Sequence, residues 1–146
     1  LFRSAAGIIR LGRESDIAEY IDARELVPAP AQGALAVECR ADDQQIQTAL
    51  RPLNHEPSRQ AALLERAIFH RIDATDSTAF GVLVHVSNHE VQVLADISLA
   101  DGADRFVCEM SAAFTDTVER DVAIRSLEDA VAHELLQHRT ELVQVG

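Results

Sequence analysis

The side chains with chemistry to offer in this 146-residue sequence are two cysteines, six histidines and a pair of neighbouring aspartates. Cys39 follows Leu35 and Val37 in alternation, and Cys108 stands between Phe106 and Met110. Both are therefore expected in a core, as small hydrophobes rather than nucleophiles. Two thiols this far apart make neither a disulfide scaffold nor a zinc ribbon. His55, His70, His85, His89, His133 and His138 have no carboxylate or cysteine at metal-ligand spacing and are expected on the surface. Asp73 and Asp76 follow a predicted helix; paired acids can do acid–base work or hold a hard cation, although solvated aspartates are common in such loops. Gln32 and Gly33 complete the set. The glycine permits close backbone approach and the glutamine offers an amide beside it.

The elements that must position these residues fall into two parts. In residues 1–53 an apolar stripe of Leu1, Ala5, Ile8, Ile9 and Leu11 predicts a helix that Gly12 ends at a left-handed position. Glu14–Tyr20 predicts a second short helix with Ile17 facing inward. Pro28 and Pro30 make Leu26–Gln32 an extended loop. Ala34–Val37 then reads as a short buried strand, and 42–51 as a short helix capped by Asp42 or Asp43. One strand and three short helices cannot bury a core alone, so this half is expected to belong with other domains of a longer protein.

Residues 54–146 read as a self-contained α+β unit. Pro57 suits a first helical turn, and Ala61, Leu64, Ile68 and Ile72 follow at helical spacing. Three alternating segments around Val82–Val86, Val91–Leu99 and Phe106–Ala112, with turns at Asn88-His89 and Asp101-Gly102, predict an antiparallel meander. A final helix carries Ile124, Leu127, Val131 and Leu135 on one face. The expected fold is a three-stranded antiparallel sheet covered on one face by helices.

Composition narrows the function. Acidic residues outnumber basic ones 24 to 13, for a net charge of −11, which disfavours nucleic acid and anionic membranes as partners. All thirteen basic residues are arginine, so Schiff-base chemistry on lysine and a lysine P-loop are excluded. Nothing in the sequence marks a membrane span or an export signal.

The string Leu26-Val-Pro-Ala-Pro-Ala-Gln-Gly-Ala-Leu-Ala-Val-Glu-Cys-Arg40 resembles the P-A-x-x-Q-G-A motif of the porphobilinogen deaminases, also called hydroxymethylbilane synthases. Ala5–Gly12 resembles the family's A-G-hydrophobic-x-R-L-G helix, Leu53-Asn54-His55 its L-N-H segment, and Glu65-Arg66-Ala67 its E-R-A helix. The resemblance runs in register to about residue 140. It implies a cytoplasmic transferase of tetrapyrrole (haem, porphyrin) biosynthesis that joins four porphobilinogen units head to tail, losing ammonia each time. Its cofactor would be a dipyrromethane held through a thioether to cysteine. Residues 1–53 would be the remnant of two cleft domains and 54–146 the smaller cofactor domain. Substrate-binding arginines and the pyrrole-handling aspartate would lie upstream, so this chain alone is expected to be inactive.

Carried over residue by residue, the resemblance places Gln32, Gly33 and Ala34 on the cleft and the cofactor loop at Asp73–Ser77. Asp76 stands where the family has its cysteine, with Ala74 and Thr75 in place of two glycines. A carboxylate is a much weaker nucleophile than a thiolate, and Thr75 or Ser77 is a poorer one still. The dipyrromethane is therefore expected not to be covalently attached here. Arg40 and Arg66 are expected in structural salt bridges. The competing expectation is a degenerate, non-catalytic family member that acts as a binding module, self-associating through residues 1–50.

Overall fold

The computed structural model describes residues 3–72, 78–99 and 104–144. Its centre is a meander of β1 (Thr78–Val86), β2 (Glu90–Leu99) and β3 (Arg105–Ala113), in the spatial order β1-β2-β3 and antiparallel throughout. The register pairs Val82 with Ala95 and Ala95 with Cys108, so the apolar positions of all three strands share one face. Two helices cover that face: α3 (Glu56–Ile72) and α4 (Thr117–Gln144). Ile68 and Ile72 of α3, Val91, Val93, Ala95 and Ile97 of β2, and Val131 and Leu135 of α4 lose all contact with solvent. At about 1.5–3 kcal/mol for each large aliphatic side chain, this layer is the main source of stability. The α+β fold read from the alternation is the fold observed.

Local chemistry sets the ends of the elements. Pro57 lies in the first turn of α3, and the His55 carbonyl accepts that helix's first bond from Arg59 at 3.0 Å. Asp116 caps α4 by accepting from the Val118 and Glu119 amides at 2.8 Å, while Glu119 reaches back to the Thr115 amide and hydroxyl. Asp43 caps the short helix α2 (Gln44–Leu50) by accepting from the Ile46 amide at 3.0 Å.

The first 53 residues pack differently from expectation. Helix α1 (Ala5–Arg10) forms and Gly12 ends it at φ 69°, but none of its residues is buried. The helix expected over Glu14–Tyr20 is one 3-10 turn, Glu14–Asp16, with Ile17 half-buried beyond it. The strand expected at Ala34–Val37 does not form, and its side chains are not enclosed: Leu35 is 96% and Val37 64% exposed. A strand needs a neighbouring edge for its amides and carbonyls. The edge of β1 is already occupied by residues 28 and 65, as described below. Cys39, expected in the core with that strand, is exposed for the same reason. Cys108 is in the core as expected.

Candidate functional site

Among the described residues before Glu56, Val27 alone is buried. It belongs to a strap that crosses the outer face of the sheet and turns around the edge of β1. Arg24 pairs with Glu109 of β3 at 2.7 Å, and the Arg24 carbonyl accepts from Arg105 at 2.8 Å. Arg105 in turn donates to Asp96 of β2 at 2.9 Å. Val27 then lies over Gly81 of β1, and the Pro28 carbonyl accepts from the Val82 amide at 2.9 Å. The strap thus meets β3 and then β1 within five residues, and reaches β2 only through Arg105.

Past the edge the chain makes two tight turns. The Gln32 amide donates to the Ala29 carbonyl and the Ala34 amide to the Ala31 carbonyl, both at 3.1 Å. The Gln32 side-chain oxygen accepts from the Ala29 amide at 3.1 Å. Ala31 has φ 57°, a left-handed conformation that L-residues adopt at a cost. Its amide donates to one carboxylate oxygen of Glu65 at 2.6 Å, and the Val84 amide of β1 donates to the other at 2.8 Å. The turn beside Gln32, helix α3 and strand β1 therefore meet at one buried carboxylate.

Two cavities flank this turn. A cavity of about 170 Å³ lies between Gln32–Ala34, the Ser58–Glu65 stretch of α3 and Val82–Leu83 of β1. One of about 560 Å³ lies on the outer sheet face, between the strap and Ala79–Gly81, Asp96, Ser98 and Arg105. Gln32 lines both. Their acidic lining residues are Glu25, Glu65 and Asp96; the cation is Arg105, already engaged by Asp96 and the Arg24 carbonyl.

The sequence-predicted residues meet this geometry unevenly. Gln32 and Gly33 sit at the cavity mouth. The close approach expected at Gly33 is not made, because a Cβ there would have nothing within 4 Å. Gly81 is the glycine that needs to lack a side chain. Asp76, Thr75 and the rest of Asp73–Ser77 lie outside the described residues. Arg40 pairs, among the described residues, only with nearby Asp42 at 3.1 Å, both exposed, and Arg66 is exposed. Cys39 lines neither cavity. Burial, with a smaller contribution from the Glu134 charge, raises the pKa of the Cys108 thiol. Among the described residues no group of three histidine, cysteine or acidic side chains could hold a metal ion. No helix among them is long and apolar enough to cross a membrane. Glu65 was not among the residues singled out for chemistry, although it sits four after Ala61 and three before Ile68, on the apolar stripe of α3.

Comparison with known proteins converges on one family. The family model described as "Porphobilinogen deaminase, dipyromethane cofactor binding domain" matches residues 2–48. A porphobilinogen deaminase of Coxiella burnetii (strain RSA 493 / Nine Mile phase I) is 36% identical over 99 residues, covering 68% of this chain and 32% of that protein. One from Mycobacterium ulcerans (strain Agy99) is 38% identical over 108 residues, covering 68% and 34%. One from Corynebacterium glutamicum (strain R) is 37% identical over 105 residues, covering 70% and 35%. The chain spans about a third of the length of the relatives it matches.

Proposed function

This chain is a relative of the porphobilinogen deaminases over that shared third, and we propose that it supplies the C-terminal part of a deaminase-like transferase and does not catalyse by itself. In this reading the parent protein joins four porphobilinogen units into hydroxymethylbilane. Residues 1–53 dock against its cleft domains, and 54–146 are the third domain. The exposed Leu11, Leu35 and Val37 support a partner surface in the first part, since such apolar side chains are stabilised by cover.

The observation that carries inactivity of the chain alone is the charge around Gln32. A substrate rich in carboxylates needs uncommitted cations; the smaller cavity is lined by no cation, and Arg105, the cation of the larger one, is already held by Asp96 and a main-chain carbonyl. The donor set also does not suit a thioether-held dipyrromethane. The Cys108 thiol is buried between sheet and helices, Cys39 lines neither cavity, and in this reading Asp76 stands where the family would have its cysteine. These facts support a chain that binds no covalent pyrrole primer. What remains to its own residues is positioning: Glu65, Ala31 and Gln32 shape the turn that would face the cleft.

Intact-mass spectrometry tests this reading on the longest protein that carries the chain, and on the chain alone, each before and after incubation with porphobilinogen. Neither is expected to retain whole pyrrole units after denaturation. A gain mapped by digestion to Asp76 or a neighbour overturns the reading of the anchor. Hydroxymethylbilane formation by the chain alone overturns the reading of inactivity. A folded parent protein that forms none points instead to a non-catalytic binding module.

A further inference from the structure

Glu65 is 6% exposed on a helix face otherwise made of Ala61, Leu64, Ile68 and Ile72. A carboxylate leaves water only where other groups replace its hydration. Here the replacement is two main-chain amides from different parts of the chain, one on each oxygen. One belongs to the edge strand, where an unpaired amide would otherwise be left beside α3. The other belongs to Ala31, whose φ of 57° is held against its intrinsic preference. Gln32 follows directly, and its side chain is folded back onto the Ala29 amide within the same turn.

We propose that Glu65 is a positioning residue: its carboxylate pins the left-handed Ala31 to strand β1 and so fixes where Gln32, which lines both cavities, and Gly33, which lines the smaller, stand. Volume at position 65 is not what the site requires. Two acceptor oxygens are required, because each faces an N–H donor. Glutamine offers one acceptor and turns an N–H₂ group toward the other donor, so the usual conservative replacement does not restore the arrangement. Aspartate is one methylene too short to keep both bonds. What the turn does for a pyrrole substrate rests on the function proposed above; the pinning itself does not.

The test is NMR on the full 146-residue chain. In the unaltered protein, scalar couplings across the hydrogen bonds are expected from both the Ala31 and the Val84 amide nitrogens to the Glu65 side-chain carboxyl carbon. Absence of either overturns the proposal, and this measurement needs no variant to fold. In Glu65→Met, the methyl signals of Ile68, Val93 and Leu135 are expected to stay in place. The amide signals of Ala31, Gln32 and Gly33 should move, and exchange of the Ala31 amide should quicken by about tenfold or more. Glu65→Gln is expected to move the same three amides. Amides that keep their wild-type positions and exchange in either folded variant overturn the pinning. None of these readouts involves substrate, so a failure here is distinct from a failure of the mass measurement.

Discussion

Gly81 lies so close beneath Val27 that a Cβ on it would stand 2.5 Å from the Val27 carbonyl oxygen. The same atom would stand 2.6 Å from a carboxylate oxygen of Asp96. Both the strand and the strap would have to move to admit one methyl group. Gly81→Ala is expected to cost about 1–3 kcal/mol, the usual range for forcing a methyl group into packed structure. It should also open the segment around Val27 to limited proteolysis. Urea unfolding and a timed digest read the two effects. A variant as stable and as resistant as the parent would show that the strap does not hold this seat in solution.

Ile68 sits where α3 meets the sheet and has no exposed surface. Ile68→Ala removes buried methyl groups from a site closed on all sides, and a loss of about 2–5 kcal/mol is expected on chemical denaturation. Leu63, on the same helix but half exposed, should lose far less on truncation to alanine. Equal losses at the two positions would contradict the packing described.

The cysteines should separate by reactivity. Cys39 is exposed and should react with a thiol reagent in the native protein, whereas Cys108 should react only as the chain unfolds. Burial, and then the charge of Glu134, raises the Cys108 pKa above its ordinary value of 9.0. The folded state therefore favours the protonated thiol. Its contribution is complete below pH 9 and is lost as the pH climbs toward the folded-state value. Stability measured from pH 8 to 11 should fall less steeply in Cys108→Ala than in the parent chain.

The Arg24–Glu109 pair holds the far end of the strap, but both side chains are more than half exposed. Glu109→Ala should cost no more than about 1 kcal/mol, and less in high salt. Asp96→Ala should cost more, because Asp96 is largely enclosed and its loss strips Arg105 of its carboxylate partner. A larger effect at Glu109 than at Asp96 would reverse the order of importance assigned to these contacts.

The sheet and its two helices were legible because strands with one covered face alternate strictly: Val82, Val84 and Val86, then Val91, Val93, Ala95 and Ile97, all prove to face the helices. Ala34–Val37 carries an equally good strand composition and forms none. Composition reports what a segment would do with a partner, and here no free edge meets it. The strap was illegible because three of its contacts are main-chain carbonyls at Arg24, Val27 and Pro28, which every sequence possesses, and its ion pair joins Arg24 to a residue 85 positions away. Glu65 could have been found. An acid on the apolar stripe of α3, at helical spacing between Ala61 and Ile68, has to be satisfied from inside the protein. The motif containing Gln32 was visible from the start, whereas the left-handed Ala31 that aims it was not, because alanine gives no hint of positive φ.

The Pro28 carbonyl and the Glu65 carboxylate together occupy the Val82 and Val84 amides along the outer side of β1. Unpaired strand amides are what a foreign chain uses to add itself to a sheet, and stacking into fibres needs an open row on both sides. With the middle of β1 occupied by its own chain, the β3 side is the one left open for such addition among the described residues. Growth from one side ends when two molecules have met, so any misassembly of this sheet by strand pairing should stop at a pair rather than run on into a filament.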